Sequence, residues 1–259
     1  SFSVWRRNSD VFFKTWKTNF LPSIFEPLLY LIAMGLGFGV LLSSGVPYGG
    51  ETVNYIRFLA PGLVAISAMY GAFFECTYGS FVRMHYQKTF DAIIATPVSI
   101  EDVIAGEVLW GATKAALNST IVLVVIEFMG LFVFPEVLFD SATLLLVPII
   151  AFLSGLLFAS LAMIFTAVVP NIDSFNYPFF LFITPMFLFS GTFFPIEVLP
   201  SIGQDLAYIF PLTHVATLIR DLSFGALRVI DLYGLLFIIV LTIVAFISAV
   251  RLMRKRLIS

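Results

Sequence analysis

The chain has 259 residues, 60% of them hydrophobic and only 12% charged, with a mean hydropathy of +1.03; an ordinary soluble domain carries roughly 25% charged residues. No soluble interior is large enough to hide so much apolar surface, so lipid must be the solvent for most of it. A net charge of −2 argues against nucleic acid as a ligand, while a single cysteine, Cys76, and two histidines, His85 and His214, exclude an intrachain disulfide and give no basis for a metal site.

In the first twenty residues Trp5, Phe12, Phe13, Trp16 and Phe20 recur at helical spacing, with Arg6, Arg7, Lys14 and Lys17 between them. That pattern predicts an amphipathic helix lying in the membrane interface, with a flexible basic tail as the alternative. It is too mixed for the apolar core of a signal peptide. Six apolar stretches then approach the ~20 residues that cross a bilayer: 20–42, 58–82, 103–134, 142–169, 175–194 and 232–250. None alternates as a barrel strand would, and lipid obliges the backbone to satisfy its own hydrogen bonds. The expectation is one all-α polytopic membrane domain over 1–259, with six transmembrane helices.

An even number of spans puts both termini on one side. That side holds Arg6, Arg7, Lys14, Lys17, Arg83, Lys88, Arg251, Arg254, Lys255 and Arg256, against Arg57, Arg220 and Arg228 on the other, with Lys114 inside a span. By the positive-inside rule the termini and the loop 83–102 are expected to be cytoplasmic. The outward segment 195–231 is long and semi-apolar, with short runs between Pro195, Pro200 and Pro211. It predicts one or two short re-entrant or interfacial helices. No internal repeat is visible, which weighs against an inverted-repeat transporter.

Catalytic patterns are missing: there is no G-x-x-x-x-G-K-[ST] phosphate loop, no H-E-x-x-H and no G-x-S-x-G elbow. ATP hydrolysis, where transport needs it, belongs to another chain. The ionisable residues within spans are Glu26, Glu75, Glu107, Lys114 and Glu127, each costing about 2.5–3.5 kcal/mol if left at the bilayer centre. Glu26, beside Pro27, is near enough to the start of its span to reach the interface. Glu107 and Lys114 lie two turns apart on one helical face, so the lysine is expected to approach the carboxylate or to snorkel. Glu75 and Glu127 either line a substrate path or sit as protonated, hydrogen-bonded carboxyls in a helix interface. The fifth span is punctuated by Pro178, Pro185 and Gly191 and dense in phenylalanine, including Phe187, Phe189 and Phe193; such a stripe lines an apolar or sugar-stacking route, or simply packs against lipid.

In the loop 83–102, Phe90, Ile93, Ile94 and Pro97 follow i, i+3, i+4, i+7 spacing and predict a short helix with one apolar face. Ser99 followed by Asp102 is a capping-box pattern that opens the next helix. A short amphipathic helix joined rigidly to a membrane helix is what a partner domain would push against; a membrane-surface helix without a partner is the plainer reading.

Several separated motifs resemble the ABC-2 family of ABC exporter permeases, and within it the permeases of nodulation-type lipooligosaccharide exporters (NodJ-like). They are Glu26-Pro27-Leu28-Leu29-Tyr30-Leu31, Ala60-Pro61-Gly62-Leu63, Phe74-Glu75-Cys76-Thr77-Tyr78-Gly79, the stretches 89–99 and 106–112, Phe175-Asn176-Tyr177, the stretch 184–195, and Pro211-Leu212-Thr213-His214. The resemblance runs in order along nearly the whole chain. It implies a homodimer in a bacterial inner membrane, bound to two copies of a separate ATPase subunit that carries ATP and Mg, with no cofactor on this chain. Carried onto these positions, it makes Gln87, Lys88, Thr89, Phe90, Asp91, Ile93, Ile94, Thr96 and Pro97 the coupling segment. Trp5, Arg6, Arg7, Lys14, Trp16 and Lys17 would belong to the family's interfacial connecting helix. Glu75, Tyr78, Glu127, Phe187, Phe189 and Phe193 are the candidates for a substrate path. The cargo expected from the resemblance is an amphiphilic lipid-linked saccharide or related glycolipid. An ABC-2 drug or antibiotic efflux permease differs only in cargo, and a membrane-integral assembly factor or enzyme without ATP coupling is the alternative of another class.

Overall fold

Among the described residues the long apolar stretches are helical, as a backbone without water to bond to must be. The computed structural model describes residues 1–42, 44–132, 138–139 and 141–258, with the backbone alone for 16–24. Helix α1 (Phe2–Lys14) turns at Thr15 into α2 (Trp16–Leu41). A short antiparallel hairpin follows, β1 (Val46–Tyr48) and β2 (Glu51–Val53), closed by Gly49 and Gly50 at φ 62° and 87°, the positive values that a two-residue hairpin turn requires. The Asn54 side chain caps α3 (Tyr55–Phe74) by accepting from the Ile56 N–H at 3.0 Å. From Phe74 the helix runs on through two wide π turns, Glu75–Gly79 and Val82–Tyr86. Then come α4 (Thr89–Ile94) and α5 (Ile100–Phe132). A 3₁₀ turn, Ala142–Leu146, leads into α6 (Val147–Val168). The next helical segment contains α7 (Asn176–Pro178), a π turn Phe179–Ile183 and α8 (Thr184–Phe189). Last are α9 (Ser201–Ile209), α10 (Pro211–Phe224) and α11 (Val229–Ile258).

Among the described residues, five segments are long and apolar enough to cross a membrane: Tyr55–Tyr86, Ile100–Phe132, Ala142–Val168, Ile172–Phe189 and Val229–Ile258. In α2, the apolar stretch with described side chains, Phe25–Leu41, is shorter. The segment built on α3 is the hub, with 89% of its apolar window inside the bundle, whereas α11 has 17% and stands at the edge. Close approach comes from small residues. A Cβ on Gly155 of α6 would lie 2.8 Å from the Cα of Ala112 on α5, so only glycine permits that crossing.

The helices outrun their apolar stretches, for identifiable reasons. The second predicted span ends at 82, yet the helix continues to Tyr86 because Arg83 is paired inside the protein and does not mark the water boundary. The sixth runs to Ile258 rather than 250, held where the Arg256 guanidinium donates to the carbonyls of Thr166 and Val169 at 2.6 and 2.7 Å, the free end of α6. The fifth stops early, at Phe189. Gly191 follows at φ 71°, where a Cβ would meet Ile196 at 2.6 Å. Pro178 and Pro185 break the regular ladder, and the π turn between them is steadied by the Thr184 hydroxyl donating to the Phe179 carbonyl at 3.1 Å. The third and fourth predicted spans match α5 and the segment Ala142–Val168 to within a few residues, positions 133 and 134 lying outside the described residues. The segment 195–231 holds two short helices. Exposed α9 carries Ile202 and Ile209 outward, whereas α10 is buried along most of its length.

Candidate coupling and transport site

One end of the bundle carries α4. The chain leaves the helix of Arg83 through Lys88, whose φ of 54° makes it the one non-glycine residue at positive φ among those described. For a lysine this left-handed conformation is strained, and strain of that kind persists only where the surroundings fix it. It turns α4 so that Phe90 is fully buried while Ile93 and Ile94 are half-buried against the core. Pro97 is exposed and lies beyond the helix. The apolar face read from sequence therefore points into the permease itself. The face left outward consists of Gln87, Lys88, Asp91, Thr96 and Pro97, with Lys88 and Asp91 3.9 Å apart. Thr89 is half-buried. Ser99 caps α5 as predicted, its oxygen accepting from the Asp102 N–H at 3.1 Å.

Directly behind α4 lies a group of charges joining α1, α3 and α5. The Arg83 guanidinium donates to Glu75 at 2.8 Å and to Glu107 at 3.0 and 2.5 Å. Lys114 donates to the other oxygen of Glu75 at 2.8 Å, and Glu107 also accepts from Asn8 of α1 at 2.8 Å and Ser80 at 2.6 Å. The expected Glu107–Lys114 pair is not formed. Two helical turns separate those residues by about 10 Å, and Arg83 and Asn8 claim the Glu107 carboxylate first. Each carboxylate is answered by a cation and by further donors, the condition under which buried ions are tolerated. A cavity of about 580 Å³ opens beside this group, lined by Arg7, Thr15, Tyr78, Gln87, Trp110 and Lys114 among others.

Helix α1 is anchored to the same place. Val4, Asn8 and Phe12 are buried, the Trp5 indole donates to Thr113 at 2.9 Å, and Phe12 meets Trp110 edge-on at 5.3 Å. Arg7 donates to Asn8 at 2.7 Å. Phe2, Val11 and Phe13 remain exposed, as do Arg6 and Lys14. The helix is amphipathic, with one face on protein, but it ends at Lys14, so that Trp16, Lys17 and Phe20 of the predicted stretch belong to α2. The side chains of Trp16 and Lys17 lie outside the described residues.

Along α3 an aromatic column rises from this end toward the other. Ring centroids lie 5.3 Å apart for Phe81 and His85, 5.4 Å for Phe81 and Phe175, and 5.1 Å for Phe175 and Tyr78. The column continues through Phe74 and Tyr70, stacks Tyr70 on Phe187 at 6.0 Å, and ends with Phe193 and Tyr30 around Phe187. Tyr78, Phe187 and Phe193 are thus brought together, and Glu75 stands beside the lower part. Phe189 is exposed and outside the column. Glu127 is apart from Glu75: Lys114 meets Glu75, and Glu127 is thirteen residues further along α5, roughly 20 Å of helix. The sequence reading overlooked Tyr70 and Phe74, although Tyr70, Phe74 and Tyr78 stand at i, i+4, i+8, a one-face signal.

At the opposite end, beside the hairpin, Arg220 of α10 is buried. It donates to the carbonyls of Phe58 and Gly191, both at 3.0 Å, and lies 3.9 Å over the Phe58 ring. Asp221 accepts from the Tyr48 hydroxyl at 2.6 Å and from Arg228 at 2.7 Å. Burial pushes the Tyr48 phenol above its ordinary range, so it remains a donor. These contacts were invisible in the sequence, where Arg220 and Arg228 counted only as outward charge.

A bundle of helices long and apolar enough to cross a membrane, with a short strained helix at one end backed by paired charges, is that of a multi-pass membrane protein. The ABC-2 type transporter family profile matches residues 2–224, and the chain belongs to that family: it is an ABC transporter permease. It is 39% identical to nodulation protein J of Rhizobium meliloti (strain 1021) over 224 residues, covering 86% of this chain and 81% of that one. It is 38% identical to nodulation protein J of Rhizobium leguminosarum bv. trifolii over 257 residues, covering 98% and 93%. Similarity extends to the inner membrane transport permease YadH of Escherichia coli (strain K12), at 26% over 231 residues, covering 88% of this chain and 83% of YadH.

Proposed function

We propose that the chain is the membrane half of an ATP-driven exporter that moves an amphiphilic lipid-linked saccharide out across a bacterial inner membrane. In this reading α2 is a sixth span, both termini and α4 face the cytoplasm, and α9 with α10 form a re-entrant outward segment. Two copies of the chain pair, and each seats α4 on a separate ATPase subunit that binds ATP and Mg. The observation that carries the reading is α4 itself: a helix anchored by a buried Phe90, joined through strained Lys88 to the hub helix, and offering a polar outward face. The nodulation protein J relatives support the saccharide cargo.

A push on α4 is transmitted to α5 through the Ser99 cap and to α3 through Lys88. Both helices end on the charge group around Arg83, so their relative movement shifts α1 as well. The half-buried rings in the middle of the column, Tyr70, Phe74 and Tyr78, supply faces on which sugar rings and an acyl chain can slide without a deep binding minimum. Co-expression with the products of its neighbouring genes tests the idea: an ATPase subunit should co-purify, and vesicles reconstituted with the complex should export labelled glycolipid on ATP addition. A permease that never retains the ATPase refutes coupling, and export of dye without glycolipid refutes the cargo.

A further inference from the structure

On the edge of the bundle away from the aromatic column, α5, α6 and α11 enclose an apolar groove of about 330 Å³. Its walls include Ala105 and Leu109, Leu156 and Ser160, and Ile243 and Ile247. The two hydroxyls on it, Ser160 and Thr242, already donate to carbonyls of their own helices, those of Leu156 and Ile238, so the groove offers hydrocarbon and nothing else. On α11, Ile243, Ile247, Arg251 and Arg254 follow one another at i, i+4, i+8 and i+11, one stripe of the helix. The groove wall thus leads directly into a basic end formed by Arg251, Arg254 and Lys255, all exposed and lining one surface cleft. Glu101, one turn before Ala105, approaches Arg254 at 3.7 Å. Three cations against one carboxylate leave an excess of two positive charges at the mouth.

An apolar slot with a cationic rim at the end of a membrane helix has the chemistry of an anionic phospholipid: acyl chain in the slot, phosphate on the rim. We propose that this groove binds one anionic membrane phospholipid, with Arg251 and Lys255 holding its headgroup and one acyl chain lying between α5, α6 and α11. The site is separate from the cargo route, and a lipid here wedges α11 against the start of α5, the helix that follows α4. It therefore sets how far α5 can move.

The full chain, purified in mild detergent and exposed to mixed micelles of phosphatidylglycerol and phosphatidylethanolamine in equal amounts, tests the site by native mass spectrometry. The expected result is retention of phosphatidylglycerol over phosphatidylethanolamine by at least about tenfold. Arg251→Gln with Lys255→Gln, on exposed positions that leave the fold intact, should bring the two lipids to parity. Ala105→Phe should abolish retention with the basic end untouched, which separates a built groove from a merely basic surface. Equal retention of both lipids by the unaltered chain overturns the proposal, as does unchanged preference in either variant. An Ile247→Cys variant that crosslinks to a second copy in the membrane also overturns it, because the groove would then be a protein interface.

Discussion

Arg83, near α4, and Arg220, near the hairpin, are both buried guanidiniums, and they are stabilised by different kinds of partner. Arg83 is held by the side chains of Glu75 and Glu107, each of which also bonds to a third element. Arg220 is held by two backbone carbonyls and a phenyl ring. Side-chain pairs among three helices can exchange partners when those helices shift, since every member has more than one alternative. The two main-chain carbonyls that hold Arg220 cannot move away without unfolding a turn. The α4 end is therefore built to rearrange and the hairpin end to pin the 190–196 turn to α3.

The largest expected effect comes from removing the shared cation. Arg83→Ala leaves buried Glu107 without its cation while Glu75 keeps Lys114, and breaking a buried pair of this kind costs about 3–5 kcal/mol; thermal unfolding in detergent should show it directly. If the group serves movement rather than stability, Arg83→Met combined with Glu75→Gln and Glu107→Gln should recover most of the melting temperature and still fail to export. Full export by the triple variant would remove the distinction between the two ends. Arg220→Leu ranks next, at about 2–3 kcal/mol for charge-assisted bonds lost to two buried carbonyls. Its loss should appear as faster proteolysis within 190–196, and Arg220→Lys should not rescue it, because one ammonium lacks the planar fork that reaches both acceptors. Tyr48→Phe is smaller, about 1–2 kcal/mol, since it strips one of the donors from buried Asp221 and leaves Arg228 in place. A Tyr48→Phe loss as large as that of Arg83→Ala would mean that the hairpin end is the more charge-dependent of the two.

Much of this was legible in the sequence, and the failures have physical causes. Apolar length gave five of the six expected spans because lipid leaves the backbone few choices, and Ser99 with Asp102 gave the start of α5 because a cap is a local interaction. Span ends were misplaced wherever a charge is neutralised by a distant residue, as at Arg83, or where a terminal arginine extends a helix, as at Arg256. The Glu107–Lys114 pairing failed because spacing along one helix says nothing about competitors on two others. Arg220 stayed hidden because its partners are backbone groups, which have no sequence signature. Of the apolar positions expected in α4, Phe90, Ile93 and Ile94 lie on the helix and pack inward while Pro97 falls beyond it and is exposed; whether that face met the protein or a partner depended on the strained turn at Lys88.

That orientation decides the smallest and most informative test. Phe90 is anchored in the core, so Phe90→Asp would damage the permease itself and could not report on coupling. Asp91 is exposed beside Lys88, and Asp91→Arg should change stability by no more than about 0.5 kcal/mol, the range usual for surface substitutions. If α4 seats on an ATPase through this polar face, reversing the charge there should still weaken ATPase retention at least about tenfold, since like charges brought together at an interface cost several kcal/mol. Paired measurements of melting temperature and co-purified ATPase read both quantities on one sample. Unchanged retention with unchanged stability would show that α4 meets no partner on this face, and would leave the Lys88 strain without a coupling role.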